Sequence, residues 1–281
     1  MPTARSVVIT GASTGIGRAC ALHLDALGWR VFAGVRREAD AESLRREASQ
    51  HLAPLFLDVA DARSIREARA AVERSVGAAE LSGLVNNAGI ASGGPVELLE
   101  LDELRHVFEV NFFGLIAVTQ AFLPLLREAR GRIVNISSIS GMVASPFLSP
   151  YTTSKWAMEA LSDALRIELN PWDIKVSVVQ PGAIDTPIWS KGLQTAGAIR
   201  DRAPSERIAM YAAAVNSIEA GLQPHGIAPE HVARAVAHAL TSRRPRTRYA
   251  VGKDAAVVRL FRLLPDRVRD AIFLRRLRRG L

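Results

Sequence analysis

The chain has 281 residues and a hydrophobic content of 48%, which suits one α/β enzyme domain with a large core. Cys20 is the only cysteine, so no intrachain disulfide can form, and residues 6–10 already read as a strand. These features predict a cytoplasmic protein without a secretory signal. The net charge of +8 is concentrated at the end: residues 241–281 sum to +10 and the preceding residues to −2. A near-neutral body argues against nucleic-acid binding.

Short apolar runs alternate with helical patterns along the chain. The predicted strands are Val7–Thr10, Arg30–Val35, Ala53–Asp58, Gly83–Asn86, Gly131–Ser137, Lys175–Gln180 and Arg248–Val251. The predicted helices include Gly17–Leu27, Ser64–Ser75, Leu101–Arg127 and Thr153–Leu169. Continuous apolar strands separated by helices are typical of a parallel sheet that is covered on both faces. The pattern predicts a single doubly wound α/β domain over residues 1–253 with seven parallel strands.

Two segments depart from this alternation. Residues 185–228 contain several glycines and prolines with only partial helical periodicity, which predicts an irregular substrate lid. Residues 254–281 intersperse arginines with apolar residues and predict a basic C-terminal helical extension. We expect its apolar side to pack on the body or on a partner subunit, with peripheral contact to an anionic membrane as the alternative. No run approaches the ~20 apolar residues of a membrane span.

A glycine-rich turn follows the first predicted strand. Glycines without Cβ atoms let a diphosphate approach the backbone amides, and the following helix N-terminus offers further N–H groups. The residues that we assign to this phosphate site are Gly11, Ser13, Gly15, Ile16 and Gly17. The strand–turn–helix context predicts a Rossmann-type dinucleotide site.

The end of the second strand indicates which dinucleotide binds. A site for NAD(H) places an acidic residue about 20 residues after the glycine-rich turn, where it holds the ribose 2′-hydroxyl. This chain has Arg36 and Arg37 there, and guanidinium groups suit a 2′-phosphate. The sequence therefore favours NADP(H), with NAD(H) as the alternative. One of the two arginines can instead begin a solvated helix.

Tyr151 and Lys155 are four residues apart, so a helix would place both on one face. A nearby ammonium favours a phenolate, and the expected result is a lowered tyrosine pKa. Such a tyrosine can donate a proton to a carbonyl and remove one from an alcohol. Ser138 follows the fifth strand, where its hydroxyl can bond the reacting oxygen.

Several motifs occur together in one order: Thr10–Gly17, Asn86-Asn87-Ala88-Gly89, Asn135–Ser138, Tyr151-Thr152-Thr153-Ser154-Lys155 and Pro181-Gly182. Together they resemble the short-chain dehydrogenases/reductases over residues 5–252. The resemblance implies that Tyr151 is the acid/base, that Lys155 modulates it and binds the ribose, and that Ser138 orients the carbonyl. It also implies that Asn111 completes the catalytic set through a water relay to Lys155.

The same resemblance implies further cofactor contacts around both ends of the dinucleotide. These residues are Asp58 and Val59 at the adenine, Asn86, Ala88 and Gly89 on the adenosine side, and Pro181, Gly182, Ile184 and Thr186 at the nicotinamide. Scattered histidines without ligand spacing predict no metal site. The family's use of its long helices implies a homodimer or homotetramer.

Apolar residues before Tyr151 and in the predicted lid point to a lipophilic substrate. The residues that we assign to it are Met142, Phe147, Leu148 and Trp189. The chain resembles the branch of 17β-hydroxysteroid and retinol dehydrogenases, which implies a steroid, retinoid or long-chain alcohol or carbonyl. The alternatives are a 3-oxoacyl-carrier-protein reductase or general ketone reductase, and a catalytically silent NADP(H)-binding regulator.

Overall fold

In the computed structural model, which describes residues 5–77, 81–200, 204–220 and 226–278, seven strands form one sheet. They are β1 Ser6–Ile9, β2 Arg30–Val35, β3 Leu52–Phe56, β4 Leu81–Asn86, β5 Arg132–Ile136, β6 Lys175–Pro181 and β7 Arg248–Val251. All neighbouring strands are parallel, in the order β3-β2-β1-β4-β5-β6-β7. The predicted doubly wound sheet is confirmed. Its order reverses between β1 and β4, where such sheets bind their ligands.

Helices cover both faces of the sheet. They are α1 Gly15–Ala26, α2 Glu38–Glu47, α3 Ala62–Val76, α4 Leu101–Phe108, α5 Gly114–Glu128, α6 Ser149–Glu168, α7 Ile188–Arg200, α8 Ser205–Ala220, α9 Glu230–Thr241, α10 Lys253–Phe261 and α11 Asp266–Arg278. One apolar cluster joins α1 and α9 to the sheet, and a second joins α3 and α5 to its other face. The central strands are mostly apolar because both of their faces are buried. Cys20 is in the first cluster, where burial raises the pKa of its thiol to about 12.

The helix that the sequence predicts over Leu101–Arg127 is interrupted. A π-helical turn, Glu109–Phe113, separates α4 from α5. Gly114 follows this turn because a Cβ there would lie 2.8 Å from the Val59 carbonyl oxygen. The expectation that no run reaches the length of a membrane span was wrong by length and composition alone: Leu101–Glu128 has 28 residues, and an 18-residue window within it has a mean hydropathy of 1.5. Its apolar side instead packs in the core against the sheet and α3.

The predicted lid is more regular than its glycines and prolines indicated, since it contains α7 and α8. Gly192 lies inside α7 because a Cβ there would approach the Ala91 carbonyl oxygen to 3.0 Å. The two ends of the lid are joined: the Asp185 N–H donates to Ile227 at 3.1 Å, and the Ile227 N–H donates to Ala183 at 3.0 Å. The parts of the predicted lid at 201–203 and 221–225 lie outside the described residues.

The C-terminal extension forms α10, which lies against β7, and α11, which lies against α8. Most of the described apolar residues of this extension do not pack on the body of the same chain, whereas packing on a partner subunit, the other part of our interpretation, stays a prediction. The exposed ones are Val257, Leu260, Leu263, Leu264, Val268, Ile272 and Leu274. One residue of the extension does bond to the body: the Asp254 carboxylate accepts the Ala183 N–H at 2.6 Å. The extension is therefore attached near the end of β6. Residues 279–281 lie outside the described chain.

Candidate active site

The ends of β1 and β4 are tied together at the point where the strand order reverses. The Thr10 hydroxyl accepts the backbone N–H groups of Asn87 and Ala88, both at 2.9 Å. The Asn87 amide donates to the carbonyl oxygens of Thr10 and Gly11, at 2.9 and 3.0 Å. These bonds fix the position of the glycine-rich turn relative to the fourth strand.

The glycine-rich turn fits a diphosphate. Gly11 and Gly15 have φ angles of +65° and +55°, which side chains rarely adopt. A Cβ at Gly17 would lie 2.2 Å from the Gly11 carbonyl oxygen, so helix and turn approach as closely as backbones can. Among the described residues, no side chain caps α1 at Thr14, which leaves N–H groups at the start of this helix for an anion.

A cavity of about 870 Å³ extends from this turn to the carboxyl ends of β5 and β6. Most residues that the sequence assigns to the site line it. They are Gly11, Ser13, Gly15, Ile16, Arg36, Arg37, Asp58, Val59, Ala88, Gly89, Ser138, Tyr151, Lys155, Pro181, Gly182, Ile184, Thr186 and Trp189. The phosphate-binding turn and the predicted catalytic groups therefore share one continuous space.

Other assigned residues lie behind this lining. Gly17 is against Gly11, as described above. Asn86 is buried, and its amide donates to Thr119 at 3.0 Å and to Asn135 at 2.9 Å, so it supports β4 from the protein interior. Asn87, which the sequence analysis did not assign, lines the cavity in its place. Successive side chains of a strand point to opposite faces, and that periodicity could have distinguished the two asparagines.

Three of the four residues assigned to the substrate also lie outside the cavity lining. Met142 and Leu148 are buried in the segment that leads into α6. Phe147 has a φ angle of +62° and its ring lies edge-to-face with Tyr211 of α8, with centroids 6.2 Å apart. Only Trp189 of this set lines the cavity, and its ring lies edge-to-face with Tyr151 at 5.3 Å.

The adenosine end of the cavity holds a group of charges. Arg37 makes two hydrogen bonds of 2.9 Å to Asp40, and the pKa of this carboxyl is lowered, mainly by that pairing. Arg36 lies 3.7 Å from Asp58 and remains largely exposed. Lys191 of α7, which the sequence analysis did not assign, lines the same space and contributes to the lowered pKa of Asp40. The lid therefore adds a cation to those of Arg36 and Arg37.

Tyr151 and Lys155 lie one turn apart on α6 and are both buried. The Lys155 ammonium donates to the Ile136 carbonyl oxygen at 2.8 Å and lies 5.7 Å from the centre of the Tyr151 ring. Ser138 begins the short helical turn Ile139–Gly141, and its hydroxyl accepts the Ser140 N–H at 3.1 Å. The end of β5 thus brings Ser138 and the Ile136 carbonyl to the same end of α6.

The electrostatics of this group differ from the sequence-based expectation. Burial raises the pKa of Tyr151, and a hydrogen bond with Ser138 opposes this only in part. Burial also lowers the pKa of Lys155 to about 8, against the opposing charge of Glu159. The expected lowering of the tyrosine pKa is therefore wrong for this structure, because the desolvation of the buried phenol is the largest effect on it. At neutral pH the Tyr151 hydroxyl is protonated.

Asn111 lies in the π-helical turn and is fully buried. Its side chain bonds both backbone groups of Ile90: Oδ1 accepts the N–H at 2.8 Å and Nδ2 donates to the carbonyl at 2.9 Å. Nδ2 also donates to the Ser154 hydroxyl at 3.0 Å. A Cβ at Gly89 would lie 3.3 Å from Asn111 Oδ1 and 3.7 Å from Lys155 Nζ, so both groups lie on the side of Gly89 to which a side chain would project.

Comparison with known proteins agrees with this geometry. Residues 5–196 match the family model described as short chain dehydrogenase. The chain is 40% identical to mouse retinol dehydrogenase 5 (95% of this chain, 86% of the relative). It is 36% identical to an NADPH-dependent 3-dehydrocapnine reductase from Ornithobacterium rhinotracheale, over 98% of both chains. It is also 40% identical to bovine 17-beta-hydroxysteroid dehydrogenase type 6 (89% and 81%).

A solved short-chain dehydrogenase from Streptomyces avermitilis superimposes with a TM-score of 0.77 at 31% identity, over 96% of this chain and 95% of that chain. Sequence and structure thus give the same assignment over almost the whole chain. The protein belongs to the short-chain dehydrogenase family, in the branch that includes retinol and 17-beta-hydroxysteroid dehydrogenases, and is an NAD(P)-binding oxidoreductase acting on alcohols or carbonyls.

Proposed function

We propose that this protein is an NADP(H)-dependent oxidoreductase that interconverts a lipophilic alcohol and its carbonyl, with Tyr151 as the acid/base. The observation that carries the proposal is the continuous cavity. It has a diphosphate-compatible turn and cationic side chains at one end, and Ser138, Tyr151 and Lys155 at the other. The complete group of buried polar side chains at the second end favours catalysis over the alternative of a silent cofactor-binding regulator.

When bound, NADP(H) would supply or accept the hydride. The glycine-rich turn would hold its diphosphate, and the lining residues Pro181, Gly182, Ile184 and Thr186 would surround its nicotinamide. In reduction the Tyr151 hydroxyl donates its proton to the carbonyl oxygen, and Ser138 donates a hydrogen bond to the same oxygen. In oxidation Tyr151 takes the proton back. The Lys155 ammonium, held by the Ile136 carbonyl, stabilises the phenolate that forms in reduction.

The preference for NADP(H) rests on Arg36, Arg37 and Lys191, since three cations around one opening suit a dianionic 2′-phosphate. The name of the NADPH-dependent relative is consistent with it. Arg36 is the most available of the arginines, because Arg37 is held in two hydrogen bonds by Asp40.

Replacing Arg36 with glutamate is therefore expected to lower the preference for NADPH over NADH. Loss of one charge-assisted contact and the added repulsion amount to about 2–3 kcal/mol, or roughly 30- to 150-fold in the ratio of the two kcat/KM values. The ratio is measured with one substrate and both cofactors. Arg46→Glu, the same charge change on the exposed side of α2, is the control and keeps the wild-type ratio. An unchanged ratio in Arg36→Glu would contradict the assignment of Arg36.

The lipophilic substrate is inferred from the side of the cavity next to Tyr151. Trp189 covers Tyr151, and Ile90, Ala91 and Ile188 line the same part of the cavity. The relatives are named for retinol and for 17-beta-hydroxysteroids, which are large apolar alcohols or ketones. A 3-oxoacyl-carrier-protein reductase or general ketone reductase has the same chemistry and is the second candidate.

A panel of retinoid, steroid, long-chain, acyl-thioester and small aromatic carbonyls tests the substrate class, with NADPH consumption as the readout. We expect kcat/KM to be at least tenfold higher for the large apolar carbonyls than for short polar ones, since each buried CH₂ contributes about 0.8 kcal/mol. Turnover confined to short polar carbonyls would exclude the lipophilic assignment. Acyl-thioester turnover alone would favour the second candidate.

Other subunits and a membrane are the remaining binding partners that we propose. We propose a homodimer or homotetramer, as the family resemblance implies. The exposed apolar residues of α10 and α11, together with the neighbouring arginines, are available to a second subunit or to an anionic lipid surface. Location in the cytoplasm with peripheral membrane contact is consistent with a lipophilic substrate.

A further inference from the structure

A buried polar cluster lies next to the catalytic group, on the side away from the cavity. Its centre is Glu159, which is one helical turn beyond Lys155 on α6 and is almost fully buried. One carboxylate oxygen accepts the side-chain amide of Gln180 at 2.9 Å, and the other accepts Arg248 Nε at 3.0 Å. A carboxylate in the interior of a protein is costly unless its position is fixed by such partners.

The partners come from three different elements. Gln180 is on β6, directly before the Pro181-Gly182 segment that lines the cavity, and Arg248 is on β7. Arg248 also donates to Asp163 at 2.8 Å, and Arg166 of α6 donates to the same acid at 2.6 Å, so two acids and two guanidinium groups form one paired cluster. Lys155 is a further cation one helical turn from Glu159.

The environment of Lys155 otherwise contains few charges. Tyr151 and Glu159 are the titratable groups one helical turn from Lys155 on α6, Asp163 lies a turn further on, and Glu103 and His106 of α4 line the cavity. Two neutral groups lie near the ammonium: the Ile136 carbonyl of β5, and the Asn111 amide of the π-helical turn, which lies on the same side of Gly89. Burial alone disfavours a charged amine in this place, and Glu159 is the charge that opposes it.

We propose that Glu159, held by Gln180 and Arg248, is a positioning residue that keeps the ammonium of Lys155 charged during the reaction. It touches neither the cavity nor Tyr151 and acts through Lys155. The inference rests on the proposed function, in which Lys155 must be charged to stabilise the phenolate of Tyr151. It also gives β7, the last strand of the sheet, a role in the chemistry.

The test compares two acids of the same helix that share Arg248. The chain has four lysines, so ¹³C-labelled lysine and a Lys155→Arg reference identify the Lys155 signal in an NMR titration of the full-length protein without cofactor. We expect Glu159→Gln to move the titration midpoint of Lys155 to lower pH. Asp163→Asn removes the other acidic partner of Arg248 and leaves this guanidinium to Glu159 alone, so we expect it to move the midpoint in the same direction by a clearly smaller amount.

The pH profile of kcat provides the second readout. Since Lys155 must be protonated, the alkaline limb of carbonyl reduction follows its titration. Glu159→Gln should therefore lose roughly three- to tenfold near pH 8 relative to wild type and little near pH 6. Arg248→Gln, which leaves more of the Glu159 charge unpaired, should move both readouts the other way and remains informative if Glu159→Gln does not fold.

An unmoved Lys155 midpoint in Glu159→Gln, or equal shifts in Glu159→Gln and Asp163→Asn, would overturn the inference. A uniform loss of activity at all pH values would show a structural role only. Failure of the proposed function is seen separately, because a Tyr151→Phe variant that retains turnover contradicts that function whatever the lysine titration shows.

Discussion

Tyr151→Phe is expected to lower kcat by about 10³-fold, within the range that removal of a positioned acid/base produces. The hydroxyl is buried at the end of the cavity, and the raised pKa of Tyr151 keeps it protonated at neutral pH. Removing it takes away the proton donor while leaving the ring that packs against Trp189. The affinity for NADPH, measured by fluorescence titration, should change by less than about threefold, since the glycine-rich turn and Arg36 are untouched.

Tyr249→Phe is the matched control and should show the opposite result. Tyr249 is also buried, but its hydroxyl serves the fold by bonding His238 Nδ1 and accepting the Arg246 N–H, each at 2.9 Å. Its loss leaves two polar groups without a partner and should reduce the free energy of unfolding by about 1–3 kcal/mol with little effect on kcat. If Tyr151→Phe retained a tenth or more of the wild-type kcat, Tyr151 would not be the acid/base.

Gly17→Ala is expected to weaken cofactor binding at least tenfold. The new Cβ would lie 2.2 Å from the Gly11 carbonyl oxygen and 2.4 Å from Asn87 Nδ2, so either α1 or the glycine-rich turn must move. Displacing packed backbone costs about 1–3 kcal/mol, which should appear as a loss of thermal stability. The same displacement moves the N–H groups at the start of α1, and we expect NADPH affinity to fall at least tenfold.

Gly197→Ala is the control for this substitution. Gly197 lies inside α7, and among the described residues nothing is within 4 Å of the position that its Cβ would occupy. Alanine in a helix interior is favoured over glycine by about 0.5–1 kcal/mol, so this variant should be as stable as wild type or slightly more stable. Calorimetry measures the thermal stability of both variants, and titration measures their affinity for NADPH. Wild-type affinity in Gly17→Ala would show that the close approach of turn and helix is not needed.

All seven strands could be predicted, to within one or two residues at their ends, because the residues that identify a buried strand follow one another in the sequence. Strands such as β1 and β2 are largely apolar, since helices cover both of their faces. The π-helical turn could not be predicted, because one displaced hydrogen-bond register leaves the apolar periodicity of Leu101–Arg127 almost unchanged. In the lid, the glycines led to the wrong prediction of an irregular segment. Gly192 lies inside α7 because a side chain there would clash with Ala91, a contact with a distant part of the chain that the local sequence does not show.

At the site, sequence motifs located most of the cavity lining but gave a wrong expectation for its electrostatics. The spacing of Tyr151 and Lys155 predicted their common helix face, which the structure confirms. It could not predict how deeply both groups are buried, and burial determines the direction of their pKa values. Lys191 and Glu159 were missed for a related reason. Their roles depend on neighbours from other elements, and nothing in their local sequence indicates those neighbours.

Because the two ends of the lid are joined to each other, its length and sequence can change during evolution with little effect on the rest of the fold. Backbone hydrogen bonds join Ile227, at the far end of the lid, to Asp185 and Ala183, which follow β6. Both ends of the lid are therefore held at the carboxyl end of this strand. Changes in the length or composition of the lid between these two ends are expected to leave Pro181 and the strands behind it in place. A longer loop between fixed ends also adds little entropic cost. The segment between Asp185 and Ile227 can thus vary in length while the strands and the glycine-rich turn behind it keep their positions.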